Sequence, residues 1–513
     1  MSLSRRKFLL SAGAFSLAAV VPLAACSRDG SGRAQDATSG DSQATAEDGV
    51  GVAVVPDDPS GVATSAALFA SASTAVLVAS DPTPEQVGTA CTLARDNGVP
   101  VLLDGAGGDS GPVIQELSRL GATDVVLVGG SADDVDGLGD LNDITVHTVD
   151  TGDADNWPED LDPGVAGEDL ESAGVALAAS TSSPVSVATT VAAGYSLTRV
   201  IAPDPRSTDE SVAASVEAIT GDGNLIALGD HFGTADDLRR RAELAATVEG
   251  NLPGGGQVMF PGRKIIALYG HAAEPLLGVM GEQPPKDAVE RARRLAAEYD
   301  ATSDVPVIPS FEIIVTVAAA EPGPSGNFSN YSDPAEVVPW IDAIVDAGGY
   351  AIIDIQPGRE TLLQQAQHYA DLLKNPSVGL ALDPEWRLGP DDQPMVEVGH
   401  VDASEINEVA DWLEGLVVAE KLPQKLLMIH QFQLQMIRNR ENMTTGTDNV
   451  SVAVHCDGHG PQGVKMETWN VVRQDLDPAI ALGWKNFIDE DEPMLDPAQT
   501  AAISPTPDIV SYQ

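Results

Sequence analysis

Two carboxylates stand two residues apart where an apolar run ends, in VGLALDPEW (Val378 to Trp386). On a continuing strand, Asp383 and Glu385 would project to the same side, because strand side chains alternate with a period of two. Pro384 between them has no amide hydrogen, so regular strand pairing is expected to stop near Asp383. Asp383 and Glu385 are therefore candidates for a catalytic pair of carboxyl groups; alternatively, both only form the polar end of a buried strand.

Other apolar runs in the second half of the chain also end in polar side chains. We predict substrate-binding roles for Asp354, Gln356, Trp386, His430, Gln431, Asp457 and Asp489. Further polar residues in equivalent positions are His271, Glu321, Arg359, His455, His459 and Asp491. Any one of them could instead cap a helix or bond a loop amide. A serine nucleophile is not predicted, since no GxSxG motif occurs. No cofactor and no metal is expected, because the cysteines lack metal-ligand spacing.

Residues 260–513 contain the strands that would carry these side chains. Seven strand candidates alternate with helical segments: KIIALYGH (264–271), FEIIVTVAAAE (311–321), YAIIDIQPG (350–358), VGLALDPEW (378–386), KLLMIHQF (425–432), VSVAVHCDGHG (450–460) and LGWKNFIDED (482–491). The pattern predicts a (β/α)8 barrel with one strand unrecognised or absent. The alternative is a doubly wound open sheet. In a barrel, the polar residues above would meet at the C-terminal face, where barrel enzymes place their sites.

Residues 51–250 form a separate α/β region in this reading. Short apolar strands such as AVLVAS (Ala75 to Ser80) and DVVLVGG (Asp124 to Gly130) alternate with helical segments, which indicates a parallel sheet. The Pro- and Gly-rich stretch NLPGGGQVMFPG (Asn251 to Gly262) is predicted as the boundary to the barrel.

The strand ending VLLDG and the phrase SRLGATDVVLVGG (Ser118 to Gly130) resemble the cell wall-binding repeat 2 family of Gram-positive surface proteins. A weaker second copy is suggested by VSVATTVAAGYS (Val185 to Ser196) and NLIALGDHFGTADDL (Asn224 to Leu238), in which the glycine pair has become Gly229 and Asp230. The resemblance implies binding to cell-wall polysaccharide or peptidoglycan. A generic α/β fold without wall affinity is the alternative.

GLALDPEW is similar to the fourth-strand motif of chitinase-type glycoside hydrolase barrels. Glu385 matches the acid of that motif and Asp383 the carboxylate before it, whereas two earlier acidic positions fall on Val378 and Ala381. A strand-four aspartate and glutamate two apart also resemble the Chalaropsis-type lysozymes that cut peptidoglycan. These resemblances imply a hydrolase of envelope glycans, and the missing acids favour a non-catalytic wall-binding or scaffolding lipoprotein.

The first 26 residues resemble a bacterial export signal. Arg5 and Arg6 precede an apolar run that ends in LAAC (Leu23 to Cys26), which resembles the lipobox of lipoproteins and the twin-arginine export signal. The resemblance implies a Gram-positive, membrane-anchored lipoprotein on the extracytoplasmic face, with lipid on Cys26 as the first mature residue. Residues 27–50 are too polar for a core and are predicted to be a flexible tether. An ordinary N-terminal membrane helix is the alternative.

The charge of the chain excludes one class of partner. It carries 28 Lys and Arg against 77 Asp and Glu, a net charge of −49. Nucleic acid is therefore not expected as a ligand, because phosphate binding relies on basic surfaces.

Overall fold

The computed structural model describes residues 45–46 and 51–513, except 106–108, 142, 159, 162–171, 222, 324 and 393–395. The predicted signal with Cys26, and the predicted tether apart from residues 45–46, lie outside this range. Among the described residues, no helix combines the length and the apolar character needed to cross a bilayer.

The region up to residue 250 contains two four-stranded parallel sheets with helices packed on them. Its strands are β1 Thr45–Ala46, β2 Val52–Val55, β3 Phe69–Ser71, β4 Thr74–Val78, β5 Val101–Leu103, β6 Asp124–Val128, β7 Thr145–Val149, β8 Gly174–Ala179, β9 Tyr195–Val200 and β10 Asn224–Leu228. Its helices are α1 Val62–Leu68, α2 Pro84–Asp96, α3 Gly111–Leu120, α4 Pro184–Ala192, α5 Asp209–Thr220 and α6 Ala235–Thr247. The prediction of a parallel α/β region is confirmed.

The two sheets repeat one topology. The first sheet has the order β5-β4-β6-β7 and the second the order β9-β8-β10-β2. In both sheets, the first strand of the copy (β4 or β8) lies between the second strand (β5 or β9) and the third strand (β6 or β10). In both copies the third strand ends at a glycine with positive φ, Gly129 at 63° and Gly229 at 101°. The fourth strand of the second sheet does not follow the third along the chain: it is β2, near the beginning of the described region.

The C-terminal region is built from strands β11 Lys264–His271, β12 Val307–Ala318, β13 Ser329–Tyr331, β14 Tyr350–Ile355, β15 Val378–Leu382, β16 Val401–Asp402, β17 Lys425–Gln431, β18 Ile437–Arg438, β19 Val450–Cys456, β20 Ala481–Asn486 and β21 Ile509–Tyr512. Its helices are α7 Pro285–Ala297, α8 Pro334–Asp346, α9 Leu362–His368, α10 Ala370–Leu373, α11 Ala403–Glu420, α12 Gln462–Val472 and α13 Pro497–Ala501.

Eight parallel strands of this region close into a barrel. Their order is β11-β21-β20-β19-β17-β15-β14-β12, and β12 pairs in turn with β11 over eight residues of each strand. The predicted (β/α)8-like barrel is confirmed, and the open sheet is excluded. The strand that the sequence pattern did not identify is β21. One connection departs from the regular pattern: between β17 and β19, residues 432–449 contain two 3₁₀ turns and no α-helix.

The barrel strands alternate between two apolar environments. One set of side chains packs outward against the helices, for example Phe311, Ile353 and Ile429. The other set fills the lower part of the barrel interior, and it includes Ile265, Ile308, Ile352, Ala381, Met428, Ala453, Ala481 and Ile509. Since side chains two residues apart share a face, the inward positions of each strand can be followed from this apolar floor towards the C-terminal end.

The segment between the sheets and the barrel is packed rather than exposed. Leu252 and Met259 belong to the apolar cluster at the floor of the barrel interior. The guanidinium of Arg263 is buried and donates to the carbonyl oxygens of Pro253, Gly255, Val258 and Met259. The described residues between 51 and 513 accordingly belong to one compact unit.

Candidate active site

A polar layer lies directly above the apolar floor of the barrel. Along each of the eight strands, the inward-facing side chains become polar above the floor residues, either within the strand or directly after it. The layer consists of Tyr269, Glu312, Asp354, His430, His455, Lys485 and Ser511, with Asp383 just beyond the end of β15 and Asp457 just beyond the end of β19. Most of these side chains are fully buried; Glu312, Asp354, His430 and His455 have no exposed surface.

His430 links two carboxylates across the barrel. Its Nε2 lies 2.7 Å from Oε1 of Glu312, and its Nδ1 lies 2.7 Å from Oδ2 of Asp457. Lys485 approaches the same Asp457, with Nζ 3.2 Å from Oδ1. The ammonium also lies over the ring of Tyr269, 3.7 Å from the ring centroid, which is close enough for a cation–π interaction. Two cationic and two anionic side chains thus form one connected buried network.

Asp354 lies beside this network with an incomplete set of partners. Its Oδ2 accepts a hydrogen bond of 3.0 Å from the hydroxyl of Tyr269. Within the described part of the chain, no group donates to Asp354 Oδ1, Glu312 Oε2 or Asp383 Oδ1, although all three oxygens are buried. Buried polar atoms without partners are rare, and an ordered water or ion is one explanation for them.

His455 is held in place by contacts with residues of β17, β20 and β21. Its Nε2 is 3.0 Å from the hydroxyl of Ser511, and its ring stacks on His430 with centroids 5.0 Å apart. The ring passes over Gly483: a Cβ at that position would lie 2.5 Å from Cδ2 of the imidazole. A side chain at residue 483 would therefore displace His455 from the polar layer.

Asp383 and Glu385 reach the site by a geometry that differs from the predicted one. The strand ends at Leu382, as Pro384 led us to expect, but residues 384–386 form a 3₁₀ turn instead of continuing as extended chain. The two carboxylates therefore do not project together from a strand. Asp383 is buried in the barrel interior, whereas Glu385 is partly exposed above it.

The charges of the central network are stabilised by one another. Burial opposes ionisation of Glu312, but His430 holds the pKa of this carboxyl below its usual value. Burial likewise opposes ionisation of Asp457, and Lys485 and His430 nevertheless lower its pKa. The carboxylates in turn overcome the effect of burial on the cations and raise the pKa of His430 and of Lys485. Glu312 and Asp457 are thus ionised at neutral pH.

A second group of carboxyls is shifted in the opposite direction. Burial is the main cause of the raised pKa of Asp354, about 6, and of Glu385, about 7. Burial and the nearby Glu385 raise the pKa of Asp383 well above its usual value. Burial also lowers the pKa of His455 to about 3, so this imidazole is neutral. The site therefore holds protonated and ionised carboxyl groups side by side, the condition for combined acid and base chemistry.

The structure brings only part of the predicted residues together. Asp354, Asp383, His430 and Asp457 lie in or next to the polar layer, with Glu385 above it. Gln356 accepts from the amide of Ala318, and Gln431 donates to the carbonyl of Gln433, so both amides support loops. Trp386 is partly buried in the 3₁₀ turn. Asp489 is exposed, Glu321 is exposed beyond the end of β12, and Asp491 is buried outside the polar layer.

Ser511 was missed together with its strand β21, and three further members of the site were missed within predicted strands: Tyr269, Glu312 and Lys485. Each stands inside an apolar strand rather than after it, in ALYGH, SFEII and GWKNF. Side chains two residues apart share a face, so Glu312 faces the interior together with Ile308, and Lys485 together with Ala481.

Comparison of the chain with models of known protein families gave no match, and comparison with curated proteins gave none either.

Proposed function

We propose that the barrel is a hydrolase of cell-envelope glycans in which Glu385 is the general acid. The observation that carries this proposal is the position of Glu385: it is the partly exposed carboxyl at the C-terminal mouth of a closed barrel, above a layer of buried ionisable groups. This face hosts the active site in essentially all barrel enzymes.

The acid role requires a proton at neutral pH. The raised pKa of Glu385, about 7, results from burial first and from the neighbouring charge of Asp457 second. A general acid is most effective when its pKa is near the working pH. In the proposed reaction, Glu385 gives its proton to the glycosidic oxygen as the bond from that oxygen to the sugar carbon breaks.

The partner carboxylate has to be ionised, either to stabilise the positive sugar carbon or to take a proton from the attacking water. Asp457 meets this requirement better than Asp383, because Lys485 and His430 keep its pKa low whereas the pKa of Asp383 is raised. We therefore assign the anionic role to Asp457. Asp383 is the buried neighbour whose charge state is coupled to that of Glu385.

The proposed substrate class depends on the part of the chain that precedes the barrel. The resemblance of residues 51–250 to cell wall-binding repeats, and the repeated topology of the two sheets, support a wall-directed N-terminal region. The lipobox-like LAAC supports a membrane anchor. Together they direct the barrel towards cell-wall polysaccharide or peptidoglycan.

A direct assay tests the function. The mature chain should release reducing ends from at least one of peptidoglycan, chitin oligomers and arabinogalactan, measured by reducing-sugar assay and mass spectrometry of the products. Binding to the same polymers without any product would instead identify a non-catalytic wall-binding lipoprotein, and absence of both would reject a glycan function.

Lipidation of Cys26 has its own test. Expression of the full chain in an actinobacterial host with a labelled fatty acid should yield a labelled protein in the membrane fraction, since LAAC ends the apolar run. Cys26→Ser should lose the label completely and stay unprocessed or leave the membrane. Cys91→Ser is the matched control and should be labelled like the wild type. Label retained by Cys26→Ser would contradict the assignment.

A further inference from the structure

We propose that Glu312, Asp354 and His430 bind a divalent transition-metal ion in the barrel interior. One carboxylate oxygen from each acid and one imidazole nitrogen lie within 4.8 Å of one another. An ion bonded at about 2.1 Å holds its ligands roughly 3.0–4.2 Å apart. A shift of well under 1 Å per ligand would therefore complete the coordination.

Two of the three ligands have an outer partner that fixes their orientation. Nδ1 of His430 faces Asp457 at 2.7 Å, which leaves Nε2 directed at the carboxylate of Glu312. Oδ2 of Asp354 accepts from the hydroxyl of Tyr269. Such carboxylate–histidine and hydroxyl–carboxylate contacts are the usual outer partners of metal ligands, because they fix the tautomer and the direction of the lone pair.

Oxygens without partners supply the second argument. Oε2 of Glu312 and Oδ1 of Asp354 are fully buried and accept no hydrogen bond from the described residues. Asp383 lies outside the triad and shows the same feature at Oδ1, with 2 % of its surface exposed. An ion at the triad would give the free lone pairs of Glu312 and Asp354 a partner, and Asp383 could become a fourth ligand or accept from a metal-bound water.

The balance of charge agrees with a bound cation. A bound ion displaces the Nε2 proton of His430, which makes this imidazole a neutral ligand and leaves Lys485 as the cation in the same network as the carboxylates of Glu312, Asp354 and Asp457. Buried charge of one sign is costly without compensation.

The ligand types decide the class of ion. Two carboxylates with one imidazole suit Mn²⁺, Fe²⁺ or Zn²⁺, whereas Mg²⁺ and Ca²⁺ prefer oxygen ligands alone. Three protein ligands leave positions open for water or substrate, as in catalytic rather than structural sites. The proposal is independent of glycoside cleavage by Glu385, which needs no metal, so metal binding without hydrolysis leaves it standing.

The test is binding to the chelator-treated mature chain, measured by calorimetry with Zn²⁺ and by electron paramagnetic resonance with Mn²⁺. One stoichiometric site should appear in 0.15 M salt with excess Mg²⁺, conditions that suppress weak binding to the acidic surface. Electron spin echo modulation from one directly bound ¹⁴N should identify an imidazole ligand in the wild-type protein without any substitution.

Variants locate the site. Asp354→Asn and Glu312→Gln should each raise the Kd at least tenfold and remove the rise in melting temperature that the ion causes in the wild type. Glu490→Gln, which changes an exposed carboxylate in the segment after β20, is the matched control and should bind like the wild type. Absence of a stoichiometric site, absence of nitrogen coupling, or equal binding by the triad variants and the control would overturn the proposal. Should a triad variant fail to fold, the nitrogen coupling in the wild type still decides.

Discussion

Glu385→Gln should reduce glycan turnover by roughly 10²-fold or more while polymer binding stays within a factor of about two. Glutamine keeps the size and hydrogen-bonding capacity of the side chain but has no proton to give to the departing oxygen. The measurement is kcat from product release together with equilibrium binding to the same polymer. Glu397→Gln, an exposed carboxylate in the loop that follows the 3₁₀ turn, is the matched control and should keep wild-type turnover.

The same substitution should also change the pH dependence of stability. The pKa of Glu385 is raised from its ordinary value of 4.5 to about 7. The folded protein therefore holds this proton more tightly than the unfolded chain, and the stability it provides is present below pH 4.5 and lost as the pH rises through 7. The groups that act on Glu385 are Asp457, Lys485, His430, Asp354 and Asp383.

The glutamine side chain cannot ionise, so Glu385→Gln should gain stability relative to the wild type by roughly 2–3 kcal/mol between pH 4.5 and pH 8. Chemical unfolding with chelator present, at several pH values, measures this difference. A purely structural Glu385 predicts the reverse, a loss of stability with turnover retained. Full turnover by Glu385→Gln would remove the acid role from this residue.

Asp491→Ala should cost about 3–5 kcal/mol of unfolding free energy. Oδ1 of Asp491 accepts from the amide of Gly460 at 2.9 Å, and Oδ2 accepts from the amide of Phe487 at 3.0 Å and from Nζ of Lys465. Both members of the ion pair are buried, with 6 % of Asp491 and 4 % of Lys465 exposed. Alanine would leave the ammonium without its counterion and two buried amides without an acceptor.

Asp489→Ala is the control for this effect, because the side chain two positions earlier is exposed. Its unfolding free energy should stay within about 0.5 kcal/mol of the wild type. Urea unfolding of both variants gives the comparison. Equal values for Asp489→Ala and Asp491→Ala would show that the buried pair contributes nothing to stability.

The barrel strands could be predicted because they are buried on both faces, which makes each one an almost unbroken apolar run. The start of helix α11 at Ala403 agrees with a signal in the sequence, since Asp402 is a typical N-cap residue and accepts from the amide of Ser404. Strand β21 was missed for a physical reason: four residues, one of them Ser511, carry too little periodicity to distinguish a strand from a loop.

Residues of the site could be predicted from the sequence only where a polar side chain comes near the end of an apolar run. Asp354, Asp383, His430 and Asp457 were found in this way, although Asp354 and His430 in fact lie within their strands. Glu312 and Lys485 were missed because the search stopped at strand ends. The turn at Glu385 could not be derived either, since proline ends a strand but does not specify the conformation that follows.

Strand β2 precedes the first sheet in the chain but belongs to the second sheet, so the second sheet is not formed by one continuous segment of the chain. Strand β2 completes the second sheet, and the amide of Gly51 donates to the side chain of Asn224, 173 positions away. A fragment that begins after Val55 would keep the first sheet whole yet expose the edge of β10, which could then pair with another molecule. Conversely, a chain nicked at the exposed Gly152 would stay associated, because its first part supplies a strand to its second. The second repeat can be transplanted only as a circular permutant that carries residues 51–55 after its own last strand.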